Sequence, residues 1–297
     1  MDLPDVTTRR VDLGGFEVLV REAGSGPGPP VLCLHGGPGM DSAYFFPDLA
    51  PWGPGLRALA AFHRVVAYDQ RGCGASGVPA EEEPLALSHH VDDVERITAA
   101  LGLERPALLA HSFGTVLALL HTLRHPGRAA RLVLVSGAPT RAFHEGYRRS
   151  VAEELPPDAR ARLAEIQRAP VTDAAMRERF GLALPLYFHR TPDPDRRRWL
   201  VDRVRFSATV NRSIALDLET YDLTPALARV RTPALVVYGE SDRVVHPEHQ
   251  LEFRGRLPNA RFVAFQESGH FPFLEEPEPF ARVVHYFLTH GPRAVEP

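Results

Sequence analysis

The feature that most constrains this chain is a rhythm of short, wholly apolar runs, each ended by a loop of small residues. Val31-Leu32-Cys33-Leu34 ends in His35-Gly36-Gly37-Pro38-Gly39, and His63 to Tyr68 ends in Asp69-Gln70-Arg71-Gly72-Cys73-Gly74. Pro106 to Ala110 ends in His111-Ser112-Phe113-Gly114. Arg131 to Val135 and Pro233 to Tyr238 repeat the pattern, closed by Ser136-Gly137-Ala138-Pro139 and Gly239-Glu240-Ser241-Asp242-Arg243. Runs this short and this apolar read as strands covered on both faces. Helical stretches fall between them: His89 to Leu101, capped by Ser88, then the segment after Gly114, Pro247 to Gly255 and Pro279 to His290. Strand, helix and strand at such intervals call for a parallel sheet with crossover helices. The expected class is α/β, a mostly parallel central sheet of about eight strands with helices on both faces.

Around this core the signals are plainer. Val11 to Leu13 and Phe16 to Val20, split by Gly14-Gly15, read as an N-terminal hairpin. Pro47, Pro51 and Pro54 interrupt a partly helical stretch from Phe45 to Leu59, and the tail from Gly291 is expected to fray. Between Thr140 and Asp222 the strands stop. Arg148 to Glu154, Asp158 to Arg168, Met176 to Tyr187 and Pro194 to Leu216 all read as helix. Phe180, Tyr187, Phe188, Trp199, Phe206 and Tyr221 give this insertion enough apolar surface to pack on something. It is expected to be a helical cap (140–222) on a core built from 1–139 and 223–297.

Composition narrows the function classes. Of 297 residues, 34 are Lys or Arg and 37 Asp or Glu, a net charge of −3 that offers nothing to nucleic acid or to an anionic membrane surface. Cys33 and Cys73 are too few for a disulfide framework or a zinc-thiolate site. No apolar run is long enough to span a bilayer, and no secretory leader opens the chain, so a cytoplasmic protein is expected. No cofactor or metal is expected. The oligomeric state, monomer or small homo-oligomer, stays open.

The chemistry is in the loops. Ser112 sits at a corner between a strand and a helix with small or apolar neighbours, the pattern of a strained turn that pushes a serine outward. Asp242 and His270 follow two later strands, and loops beyond the carboxyl ends of parallel strands share one rim. A hydroxyl needs an imidazole to take its proton, and the imidazole needs a carboxylate to fix its tautomer. Ser112, Asp242 and His270 are therefore the expected nucleophile, orienting acid and base. Glu240 is the rival for Asp242; His246, His249 and His111 are the rivals for His270, with His111 expected to point away from the serine. The developing oxyanion needs backbone donors, and the N–H groups of Phe113 and Gly37 are the expected pair. Gly36 and Gly37 let the backbone approach a substrate closely.

HGGPG after one strand, DQRGCG with Ser76 after the next, the turn at Ser112, then GESD and SGH together resemble the α/β-hydrolase fold. More narrowly, the pairing of HGGPG with DQRGCG resembles the proline iminopeptidase (prolyl aminopeptidase) family. The superfamily likeness covers residues 9–139 and 223–290; Ala110 and Phe113 stand where the narrower family has Gly and Trp. The resemblance implies release of an N-terminal residue, proline or another small apolar one, from a short peptide or amino-acid amide through an acyl-enzyme. It also implies that Asp69–Ser76 braces the oxyanion region and that cap carboxylates bind the substrate's free amine. Glu219 is the first choice for that role, with Asp217 and Glu178 behind it. The rival is the same machinery acting on another amide, ester or lactone without reading an amine.

Overall fold

Each of the apolar runs becomes a strand in the computed structural model, which describes residues 3–80 and 84–291. The strands are β1 (Val6–Asp12), β2 (Glu17–Ala23), β3 (Gly28–Leu34), β4 (His63–Tyr68), β5 (Ala107–His111), β6 (Leu132–Val135), β7 (Ala234–Gly239) and β8 (Ala260–Phe265). They form one eight-stranded sheet in the order β1-β2-β4-β3-β5-β6-β7-β8. Only the β1–β2 and β2–β4 pairs are antiparallel, so the expected fold class is the observed one. Alternate residues of each central strand feed opposite cores. Leu32, Leu34, Leu108 and Ala110 enter one, while Val31, Cys33, Ala107 and Leu109 enter the other.

The N-terminal hairpin is longer than its apolar pattern indicates, pairing from Val6↔Ala23 to Asp12↔Glu17. On β1, the edge strand, Arg9 and Arg10 are exposed, as suits an edge that must not recruit another strand. The helix expected over His89 to Leu101 with Ser88 as its cap spans Leu87–Ala100 instead, and its N-cap residue, Ala86, has no polar side chain to close it. The reason lies across the molecule: Asp217 Oδ2 accepts the Leu87 N–H at 3.2 Å, so an orphan donor is met from outside the helix.

Between β6 and β7 lie the inserted helices Phe143–Glu154, Pro157–Arg168, Asp173–Ala183, Pro194–Arg203 and Ala208–Leu218, with a 3₁₀ turn at Leu184–Leu186. Pro194 to Leu216, read as one helix from the sequence, is two. The break is where the chain touches the loop after β3. Phe206 bridges Met40, Ser207 N–H donates to Gly39 O at 2.7 Å, and Ser207 Oγ caps the next helix by accepting from Val210 N–H. A Cβ on Gly39 would lie 2.5 Å from Ser207 O, so only glycine permits this approach. The cap thus grips the His35–Gly39 loop directly.

Chain order reverses between β3 and β5: β4 lies on one side of β3 and β5 on the other. Loops leaving β3 and β5 therefore diverge over a crevice at the carboxyl edge, the place where open α/β sheets bind ligands.

Candidate functional site

The chain leaves β5 through Ser112, whose φ of +54° is left-handed and costs a side-chain-bearing residue about 1–2 kcal/mol. The turn is pinned on both sides. Ser112 N–H donates to Val135 O at 2.8 Å, and Ser112 O accepts from Thr115 N–H at 2.9 Å and Thr115 Oγ1 at 2.7 Å. Gly114, which opens the helix Gly114–Arg124, has no room for a Cβ: it would lie 2.2 Å from Leu34 O. The loop after β3 passes equally close, since a Cβ on Gly36 would sit 3.1 Å from Ser112 Cβ.

Asp242 and His270 meet. His270 Nδ1 is 2.8 Å from Asp242 Oδ2, with both side chains buried. Asp242 also accepts from Val244 N–H and Val245 N–H on Oδ1 and from Gln250 Nε2 on Oδ2. Both oxygens of the Asp242 carboxylate are thus engaged by donors, which fixes its orientation toward the imidazole. The carboxylate fixes the proton of His270 on Nδ1 and leaves Nε2 as the basic nitrogen. The backbone of His270 is tied down too: its N–H donates to Tyr187 O at 2.7 Å, and its carbonyl accepts from His111 Nε2 at 2.9 Å.

His111 is a buried strut. Because its Nε2 must donate to that carbonyl, its Nδ1 accepts from the Tyr44 hydroxyl at 2.9 Å, which in turn accepts the Gly36 N–H at 2.6 Å. Burial, then the His270 charge, push its pKa well below the usual imidazole value, in keeping with a neutral ring. His35 is held likewise. Gln70 N–H donates to its Nε2 at 3.0 Å, its Nδ1 donates to Gly36 O at 2.9 Å, and burial lowers it to about 4. Gln70 Nε2 adds a bond to His35 O, so the loop after β4 braces the loop after β3. With Gly36 N–H committed to Tyr44, the free backbone donors are those of Gly37 and Phe113. Neither is engaged by any described residue.

These groups open on one cavity of about 150 Å³, lined by Gly37, Ser112, Phe113 and His270 and roofed by the cap residues Tyr147 and Arg179. The three cap carboxylates singled out in the sequence are not among its walls. Glu178 is on the surface, where Arg162 Nε holds Oε1 at 2.6 Å, and that contact lowers its pKa. Asp217 caps the helix at Leu87, as above. Glu219 is exposed, and its carbonyl accepts from Arg141. Leu218 between them does face the cavity, because neighbours on a helix point about 100° apart. No described Asp or Glu lines it.

Tyr44, Tyr187, Gln250 and Arg179 were not singled out as site residues. Tyr187, which the sequence offers only as cap packing, has a carbonyl that holds His270 and a ring that meets the imidazole edge-on at 5.3 Å. Among the described residues no group of side chains is arranged to hold a metal ion, and no helix is long and apolar enough to cross a membrane.

A family profile described as alpha/beta hydrolase fold matches residues 29–277. A proline iminopeptidase of Heyndrickxia coagulans is 29% identical over 299 residues, covering 96% of this chain and 97% of its own. A 2-hydroxy-6-oxononadienedioate/2-hydroxy-6-oxononatrienedioate hydrolase of Comamonas testosteroni is 24% identical, with 96% of each chain covered. Among solved structures, an esterase from Exiguobacterium antarcticum superposes with a TM-score of 0.72 at 23% identity, covering 95% of this chain and 98% of its own. Similarity of this degree spans several hydrolase activities.

Proposed function

This chain belongs to the α/β-hydrolase fold family, and from that premise we propose that it is a serine hydrolase of an ester, amide or lactone whose recognised portion carries no free amine. In the proposed cycle Ser112 Oγ attacks the carbonyl carbon while His270 Nε2 takes its proton. The oxyanion is met by the N–H groups of Gly37 and Phe113. His270 then gives the proton to the leaving oxygen or nitrogen, and water, deprotonated by the same imidazole, releases the acid and restores Ser112. Asp242 holds His270 in the required tautomer throughout.

One observation carries the substrate side: no described carboxylate lines the cavity. Moving an ammonium out of water is costly unless an anion meets it, so a site that reads a free amine needs acids at hand. The second reading is a proline iminopeptidase-like aminopeptidase. It is supported by the HGGPG and DQRGCG motifs and by the Heyndrickxia relative. Kinetics on short acyl 4-nitrophenyl esters, proline naphthylamide and N-acetylproline naphthylamide separate the two. The first reading expects ester turnover and indifference to acetylation. Proline naphthylamide cleaved far faster than both others would replace it with the second.

A further inference from the structure

The cavity is matched to charge of one sign. Arg179, on the helix Asp173–Ala183, lines the catalytic cavity and also an outer groove of about 320 Å³; His144 and Tyr147 are shared by both. Among the described residues Arg179 has no carboxylate partner, whereas its neighbour Glu178 is turned outward onto Arg162. Its guanidinium sits over the Tyr147 ring at 6.0 Å, which orients the planar group without neutralising it. Arg141 and Arg148 line the outer groove beside it. The pKa of His144 is lowered by desolvation and by all three of these arginines, a sign of unbalanced positive potential at the mouth. Deeper in the cavity Ser136 is fully buried, and its Oγ has no partner among the described residues. A planar cation and an unmet hydroxyl in one cavity lacking any described acid fit a ligand rich in acceptor oxygens.

We propose that Arg179 is a specificity residue that selects substrates bearing a carboxylate remote from the scissile carbonyl. The inference rests on the proposed ester, amide or lactone hydrolysis at the same site. A guanidinium presents two parallel N–H groups to a carboxylate, a match no neutral acyl chain reproduces. Arg179 is solvent-accessible in the free protein, so the contact gains strength only when the substrate shields it.

The test uses two esters differing in one group, 4-nitrophenyl hexanoate and the mono-4-nitrophenyl ester of adipic acid, with spontaneous hydrolysis subtracted. The quantity read is the ratio of kcat/KM for the adipate ester to that for the hexanoate. Wild type is expected to favour the adipate ester. Arg179→Gln is expected to lower the ratio about tenfold, and Arg179→Lys to restore part of it. Adipate itself is expected to inhibit hexanoate turnover competitively in wild type and several-fold less in Arg179→Gln. High salt is expected to compress the wild-type ratio more than that of Arg179→Gln, in which Arg141 and Arg148 remain. An unchanged ratio in Arg179→Gln, with both esters hydrolysed by wild type, overturns the role of Arg179 alone. If wild type hydrolyses neither ester, the underlying reading of the site falls instead.

Discussion

Tyr44 and His111 are joined by a 2.9 Å hydrogen bond one residue before Ser112, and the same hydroxyl accepts the Gly36 N–H at 2.6 Å. A single oxygen therefore couples the loop after β3 to the strand that carries Ser112. Through His111 Nε2 the chain of bonds continues to the carbonyl of His270. Tyr44→Phe keeps the ring and removes that oxygen, leaving one buried donor and one buried acceptor unmet. A loss of about 1–3 kcal/mol in urea unfolding is expected. Because the neighbouring Gly37 N–H would lose its fixed position, kcat is expected to fall roughly tenfold with KM little changed. A stability loss with unchanged kcat would make the bond structural only.

Ser112 stores backbone strain at φ +54°. Ser112→Ala is expected to lose turnover by at least about a thousandfold while keeping the strained turn. Ser112→Gly is equally inactive but has no Cβ to clash. It is expected to be more stable than the alanine variant by about 1 kcal/mol, the reverse of the usual order of these residues. Thermal unfolding of the two inactive proteins side by side measures the strain free of any catalytic effect.

The strand rhythm was legible because buried parallel strands leave no polar residues to blur the pattern, and the loops that end them hold Ser112, Asp242 and His270. What escaped was of two kinds. The first half of β1 is silent in the sequence because a charged edge strand lacks the apolar alternation that marks a strand: Thr7 to Arg10 are all exposed. The cap's inward face is not legible from the sequence, because a shift of one residue along a helix turns its side chains by about 100°. Leu218 faces the cavity, while Asp217 and Glu219 on either side do not. Arg179 has no local signature at all. It is one of many arginines in charged helices, and only the placement of its helix over the cavity sets it apart. The start of the helix at Leu87 likewise depends on Asp217, 130 positions away, which no local capping rule includes.

Asp41 gives a pH dependence with a defined sign. It is 1% exposed, and burial, followed by the neighbouring Asp69 charge, raises its pKa to about 6. Its folded value thus lies above its unfolded one, so the folded protein binds the extra proton. The associated stability is fully present below about pH 4 and is lost as pH rises through 6. Asp41→Asn keeps an oxygen for the Ala43 N–H, which Asp41 Oδ1 accepts at 3.1 Å, and removes the charge. At pH 8 the variant is expected to exceed wild type by on the order of 2 kcal/mol, with the gap closing toward pH 4. Urea titrations at both pH values read this directly, and a gap independent of pH would exclude Asp41 as its source.

Arg71 and Asp93 form a buried bidentate pair, Nε to Oδ2 and Nη2 to Oδ1 both at 2.7 Å, with side chains 0% and 1% exposed. Arg71 Nη1 donates to Pro84 O at 2.7 Å, and the guanidinium lies 5.2 Å from the Phe16 ring centroid. Asp93→Ala takes both carboxylate oxygens away from the buried guanidinium, and a loss of about 3–5 kcal/mol is expected. Replacing both partners, Arg71→Met with Asp93→Leu, removes the two desolvation costs together and is expected to recover most of that loss. Arg71 adjoins Gln70, whose N–H holds His35. The single variant is therefore expected to lose kcat as well as stability, and the apolar pair to regain both. Recovery of stability without kcat would show that the charge on Arg71, beyond its packing, sets the position of the loop after β4.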